Sequence, residues 1–191
     1  MGRALGERFE DLFPHTVSAT RTEVDITDRW RLEAEIERLQ PTLVINAAAV
    51  ADVDRCERDP LLARRANVEG AENAALSCRA VGARLIHLST DYVFGGYERA
   101  GEYDETDPPA PVNEYGRTKA EGESAVLDAL VDCAVVRVSF VFGRGARRSS
   151  IASSTPRATA QGRSPRSTLG ATSRRVWMRS STACWRSRAR R

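Results

Sequence analysis

The amino-acid sequence predicts an α/β fold organised around a parallel sheet, and three observations carry that expectation. Short apolar runs alternate with longer amphipathic stretches as far as about residue 146, the order of strands joined by crossover helices. One run, "TLVINAAA", is continuously apolar, as in a strand buried on both faces. The stretches between carry helix boundary signals, an acidic cap in front and a Pro or Gly behind.

The elements follow in order. "MGRALGERFEDLF" reads as a helix with Leu5, Phe9 and Leu12 on one face. "HTVSATR" reads as a short strand. "DITDRWRLEAEIERLQP" is a helix capped by Asp28 and closed before Pro41. "TLVINAAA" is the next strand. "DPLLARRANVEGAENAALSCRAVG" is a long helix, with Asp59 as cap, Pro60 at its first position and Gly82 as its stop. "ARLIHLST" is a strand, and a loop rich in Gly, Asp and Pro runs from Asp91 to about Asn113. "EYGRTKAEGESAVLDAL" is helical and "CAVVRVSFVFG" is a strand.

The charge divides the chain in two. Residues 1–146 hold all 26 acidic residues and 17 basic ones, a net of −9, whereas residues 147–191 hold 12 Arg and no acid, a net of +12. The first part reads as one domain. The second has no sustained period and is dominated by Ser, Thr, Ala and Arg. It reads as a disordered basic tail, as a nucleic-acid-binding arm, or, the reading preferred here, as out-of-frame translation of GC-rich DNA. With GC-ending codons, a shifted frame over Ser149 to Pro156 becomes an acidic amphipathic helix. No apolar run approaches the ~20 residues of a membrane span, and residues 1–15 do not form a signal peptide. The four cysteines are scattered without metal-like spacing, so no metal site is expected and a reduced, cytoplasmic protein is the simplest reading.

One residue asks for a chemical explanation. The chain has 29 Lys and Arg, and 28 are Arg; the single lysine is Lys119, four residues after Tyr115. On a helix that spacing places both side chains on one face. A free phenol titrates near ~10 and transfers protons poorly at neutral pH. An ammonium about 4 Å away in a partly screened site favours the phenolate by about 4 kcal/mol, which moves the phenol towards ~7. A compact ammonium suits that task better than a planar guanidinium. Tyr-x-x-x-Lys is a weak motif by itself, and two surface side chains one turn apart are its bland reading. Its surroundings add weight. "LIHLST" ends in hydroxyl residues about 25 positions earlier, so its tip can bring Thr90 beside Tyr115. "INAAA" ends in small residues that let a flat ligand approach the backbone at the carboxyl end of a strand.

Six segments in order, "VDITD", "VINAAAVADVDRCERDP", "ANVEGAENAA", "LIHLSTDYVF", "NEYGRTKAEGE" and "VVRVSFVFG", resemble the extended short-chain dehydrogenases, in particular the dTDP-4-dehydrorhamnose reductase family. The resemblance covers about residues 2–146. It implies a Rossmann-type, doubly wound parallel sheet that binds NAD(P) and reduces the 4-keto group of a dTDP-linked deoxysugar. Thr90, Tyr115 and Lys119 would then be catalytic, with Thr90 on the carbonyl, Tyr115 giving the proton, and Lys119 lowering the Tyr115 pKa and holding the nicotinamide ribose. Gly2 matches the last glycine of the phosphate turn. Asp25 and Ile26 would face the adenine, Ala47, Ala48 and Ala49 would line the dinucleotide, and Asn67 would brace the loop. Val53, Asp54, Tyr92 and Phe140 match positions near the sugar, core packing being the alternative for Phe140 and a solvated pair with Arg55 that for Asp54. In "ATRTE", Arg21 with no acid directly at the strand tip favours NADP(H) over NAD(H), with Glu23 two residues on as the argument for NAD(H).

The chain departs from that pattern at both ends. The family begins with a central strand and a G-x-x-G-x-x-G turn, and this chain begins "MGRALGERF". Loss of about five buried strand residues, at about 1.5–3 kcal/mol each, forfeits roughly 8–15 kcal/mol, as much as the ~5–15 kcal/mol that stabilises a domain. The family's substrate lobe would follow residue 146. The expectation is therefore a reductase domain lacking its first strand and its lobe, inactive as an isolated fragment. Three other readings stand beside it. The regulatory β subunit of methionine adenosyltransferase resembles the same reductases and binds NADP without catalysis; a sugar epimerase or dehydratase belongs to the same enzyme class; and a nucleic-acid binder led by the Arg-rich segment is disfavoured. A homodimer is compatible with the enzyme reading.

Overall fold

The computed structural model describes residues 2–96 and 102–139. They belong to a unit spanning residues 1–141, and the segment 147–191 and Phe140 lie outside the described residues.

Helix α1 covers Gly2–Leu12. Residues 13–28 follow without a strand, so "HTVSATR" is not the strand its composition predicts. The physical reason is the lack of a ladder: an extended segment gains backbone hydrogen bonds only from a neighbouring strand, and the described sheet offers it none. Helix α2, Arg29–Leu39, starts where Asp28 accepts the Arg31 N–H at 3.1 Å and stops at Gln40, which takes the left-handed conformation with φ 46°. Strand β1 is Leu43–Asn46. Asp52 caps the short helix α3, Val53–Arg58, and Asp59 caps α4, Pro60–Arg64, with Pro60 at its first position. The helical path continues through a π turn, Arg65–Glu69, into α5, Gly70–Val81, and closes at Gly82 with φ 70°. Strand β2 is Arg84–Thr90, a 3-10 turn spans Asp91–Val93, helix α6 is Glu114–Ala129 with Asn113 as its cap, and strand β3 is Cys133–Val138.

The three strands are parallel in the order β1-β2-β3, with Leu43 opposite Arg84 and Leu85 opposite Cys133. Helices α5 and α6 pack against each other and against β2. Leu85, His87 and Ser89 face them and are buried, while Ile86 and Leu88 on the opposite face are half-buried. One apolar cluster joins Leu32 and Ile36 of α2, Ala71, Ala74 and Cys78 of α5, Leu85, and Val126 of α6. A smaller one joins Val50, Cys56, Ala63 and Ala66 to Tyr115.

β1 corrects a second expectation. Its continuous apolar run predicts burial on both faces, yet Leu43 is 39 % exposed and Val44 and Ile45 are half-buried. Among the described strands β1 pairs only with β2 and forms an edge.

Two glycines set how closely α6 can lie. A Cβ at Gly116 would run into the Tyr92 carbonyl, and one at Gly122 would run into the Asn67 carbonyl. Both would meet backbone, which cannot swing aside, so glycine at these points lets α6 seat directly on the 3-10 turn and the π turn.

Candidate active site

The chemistry gathers where β1 and β2 end and α6 begins. β2 delivers Thr90 at its carboxyl end, and the Thr90 hydroxyl accepts the Tyr92 N–H at 3.3 Å and approaches the Asp91 carboxylate at 3.2 Å. Tyr115 comes from the first turn of α6, oriented by the Asn113 cap, which accepts the Gly116 N–H at 2.8 Å. Its ring stands edge-on to Tyr92, centroids 5.7 Å apart, and packs on the Val50 and Cys56 cluster. Lys119 lies one turn on, 1 % exposed.

The electrostatics differ from the expectation drawn from spacing. The Lys119 Nζ donates to the Leu88 carbonyl at 2.7 Å and lies 3.1 Å from His87 Nε2. Burial pushes its pKa down to about 8, with Glu123 acting in the opposite direction. The Tyr115 phenol is not lowered but raised: burial is the largest cause, and hydrogen bonding from Thr90 only partly offsets it. Helical spacing places the two groups on one face of α6, but the amine is drawn towards β2, where a carbonyl and an imidazole hold it. A buried phenol without a committed cation keeps its proton.

Polar side chains brace this centre. Asn67, in the π turn, takes the Val50 N–H on its oxygen at 2.8 Å and gives its own protons to the Val50 carbonyl at 3.1 Å and to Thr118 Oγ1 at 3.0 Å. It therefore ties the loop after β1 to the face of α6 next to Lys119. Thr118 donates back to its own helix, at Glu114 or Tyr115. Arg137 of β3 grips both oxygens of the buried Glu123 at 2.6–3.1 Å and lies over the Phe94 ring at 4.9 Å.

Ala47, Ala48 and Ala49 form an exposed run of small side chains at the end of β1. Gly2 stands beside them, the position of its absent Cβ 3.6 Å from Ala47 Cβ, so the start of α1 adjoins the strand tip. Ser89 Oγ is buried without a hydrogen-bond partner among the described residues. The other expected positions are committed locally. Asp25 accepts from the Thr27 N–H and hydroxyl and pairs with Arg21 at 3.1 Å, interactions that lower its pKa. Ile26 packs against the α2 and α5 core. Val53 is half-buried at the start of α3 and Asp54 is exposed. Among the described residues no cluster of His, Cys, Asp and Glu is suited to a metal.

Sequence reasoning passed over His87, Asn46, Gly116 and Gly122. The signal for the glycines was present in "EYGRTKAEGE", where two glycines interrupt a helix that propensity alone would give to alanine. His87 and Asn46 had no such signal, since a lone His in an apolar strand reads as a core residue.

Residues 1–162 match the RmlD substrate binding domain. The chain belongs to that family. The match runs past residue 146, the boundary drawn from charge. Over 134 residues the chain is 46 % identical to the dTDP-4-dehydrorhamnose reductase of Mycolicibacterium smegmatis, covering 69 % of this chain and 40 % of that protein. The methionine adenosyltransferase 2 subunit beta of Pongo abelii is 35 % identical over 150 residues, 75 % of this chain and 44 % of the relative. A solved dTDP-4-dehydrorhamnose reductase from Bacillus anthracis, in complex with NADP, superposes with a TM-score of 0.70 at 34 % identity, covering 75 % of this chain and 52 % of that one. RmlD relatives of known structure therefore support the Rossmann-type α/β fold, and the chain spans about half the length of the proteins it matches.

Proposed function

We propose that this chain carries the cofactor-binding and proton-transfer part of an NAD(P)H-dependent reductase that acts on the 4-keto group of a dTDP-linked deoxysugar. The observation that carries the reading is the convergence of Thr90, Tyr115 and buried Lys119 at the carboxyl end of β2, beside the exposed alanines that end β1. Open parallel sheets take their ligands at that end.

The residues fit a dinucleotide. Small side chains at 47–49 leave room against the backbone, and the start of α1 at Gly2 adjoins them. Gly2 and Ala47 to Ala49 would hold it, with Lys119 for its ribose. The exposed Arg21 favours NADP(H). When bound, the reduced nicotinamide supplies hydride. The chain's own part is the proton. Thr90 orients the keto oxygen, and the Tyr115 phenol, kept protonated by burial, donates to it as charge develops. Tyr92, Val53 and Asp54 line the approach for the sugar in this reading, with Phe140 beyond the described residues.

Residues 1–146 form the working domain in this proposal, and the Arg-rich segment 147–191 has no nucleic-acid role. The cytoplasm is the compartment in which Cys56, Cys78 and Cys133 stay reduced, and they are free here; a homodimer accords with the reading. The test is NADPH oxidation with dTDP-4-keto-6-deoxymannose by this domain completed with the first strand and the lobe of its relatives. One equivalent oxidised per sugar is expected, slowed by ~10²–10⁴ in Tyr115→Phe. Tight NADPH binding with no oxidation would instead favour a second reading, a non-catalytic NADP-binding subunit, which the similarity to the methionine adenosyltransferase subunit supports.

A further inference from the structure

Asn46, His87 and Lys119 form one buried chain of hydrogen bonds whose donors and acceptors can be assigned from its ends. The Ala48 N–H donates to Asn46 Oδ1 at 3.0 Å. A backbone N–H can only donate, so the amide oxygen of Asn46 faces Ala48 and its NH2 faces His87 Nδ1, 3.2 Å away. That NH2 can also only donate. Nδ1 is therefore the bare acceptor, and a neutral ring must carry its proton on Nε2. His87 is neutral: it is fully buried, and burial together with Lys119 pushes its pKa down to about 3. Its Nε2–H points at Lys119 Nζ, 3.1 Å away. An ammonium has no lone pair for that proton, but an uncharged amine does, while still donating to the Leu88 carbonyl.

A charged Lys119 demands the opposite polarity along the whole chain. The ammonium donates to Nε2, the imidazole proton moves to Nδ1, and Asn46 must turn its oxygen to receive it. The Ala48 N–H then loses its acceptor. Ala48 is exposed and stands in the run of small residues at the end of β1.

We propose that His87 and Asn46 are positioning residues that couple the charge of Lys119 to the Ala48 N–H. An uncharged Lys119 locks that N–H onto Asn46, and a charged Lys119 frees it to donate to an oxygen of a ligand at the end of β1. The coupling rests on the network and holds whether the site reduces a sugar or only binds a dinucleotide.

The other groups around Lys119 do not supply this coupling. On α6, Glu123 lies one turn on and is held by Arg137 of β3, and Tyr115 lies one turn before. Cys56 and Asp91 act on Tyr115. β1 contributes Asn46 and the π turn contributes Asn67, neither of which titrates. Burial already brings Lys119 down to about 8, so the switch falls in an accessible range.

The composition favours a direct test. Lys119 is the sole lysine, and His87 is one of two histidines, the other being the exposed His15. In protein labelled with 15N-lysine and 15N-histidine, Lys119 gives one side-chain signal and His87 one buried imidazole. Above the Lys119 midpoint, the His87 proton is expected on Nε2. As pH falls through that midpoint, it should move to Nδ1, and hydrogen exchange at Ala48, corrected for its intrinsic pH dependence, should accelerate several-fold. A proton on Nδ1 on both sides of the midpoint, or unaltered Ala48 protection, would overturn the proposal. In His87→Gln, whose amide can turn its oxygen to an ammonium, the Lys119 midpoint should rise by about one unit or more towards the ordinary lysine value of about 10.4; an unchanged midpoint in the folded variant counts equally against it. If that variant does not fold, the tautomer in the unaltered protein decides alone.

Discussion

The β2–α6–β3 side of the molecule and the α1–β1 side are organised to very different depths. Helix α6 buries Thr118, Lys119 and Glu123, polar groups that are each hydrogen-bonded or ion-paired, and α1 buries no residue at all. Leu85 in β2 is fully covered, whereas its neighbour in the ladder, Val44 of β1, is half-buried. The residues that would move protons thus sit on buried packing in which Thr118, Lys119 and Glu123 are held by partners. Those that would touch a dinucleotide, Gly2 and Ala47 to Ala49, stand on an exposed rim. A proton donor must hold its geometry to a fraction of an ångström, while a ligand-lining surface needs only shape and access.

The largest test of that contrast is the buried ion pair. Arg137→Met leaves the Glu123 carboxylate, 3 % exposed, without its cation, and should destabilise the fold by about 3–5 kcal/mol. Urea denaturation measures the loss, and adding Glu123→Leu should recover most of it. Next comes a matched pair of glycines. Gly122→Ala drives a methyl into the Asn67 carbonyl and should cost about 1–3 kcal/mol despite alanine's higher helix propensity. In α1, the methyl of Gly6→Ala meets the exposed Ser18 side chain at both Oγ and Cβ, contacts that a surface segment can relax, so that variant should cost less than Gly122→Ala in the same melt.

A third test uses acid. The His87 pKa in the folded chain is depressed from 6.5 to about 3, so the unfolded chain binds the extra proton first. The His87 contribution to stability is therefore full above about pH 6.5 and declines as pH falls, by up to about 1.4 kcal/mol per unit. Between about pH 6.5 and 4.5 this decline precedes protonation of the carboxylates, and His87→Gln should flatten it. The smallest effect is expected in α1. Phe9 is half-buried and stacks on Phe13 at 5.6 Å. Phe9→Ala should cost under about 1 kcal/mol, against the 3–5 kcal/mol typical of a core phenylalanine. A larger loss would mean that α1 is docked as firmly as α6.

Much of the fold was legible in the sequence. Asp28, Asp59, Pro60 and Gly82 bound α2 and the long helical path through α5 as their chemistry predicts. "HTVSATR" was misread because strand propensity describes fitness for a sheet, and no neighbour is there to complete one. The π turn was invisible as well, since the long helix differs there only in hydrogen-bond register and not in pattern. At the site, Thr90, Tyr115 and Lys119 could be named from strand-tip and helix-face positions. The direction of the Tyr115 shift could not, because it depends on where the Lys119 amine points and how much water reaches the phenol.

The sequence alone determined which segments are helical, where most of them stop, and which hydroxyl, phenol and amine are brought to one end of the sheet. Those outcomes follow from caps, stops and spacing that act over a few residues. Tertiary structure decided the electrostatic state of the site. Asn46 and His87 lie 41 positions apart, and His87 and Lys119 lie 32 apart. Only folding removes water from between them and joins them in one hydrogen-bonded chain.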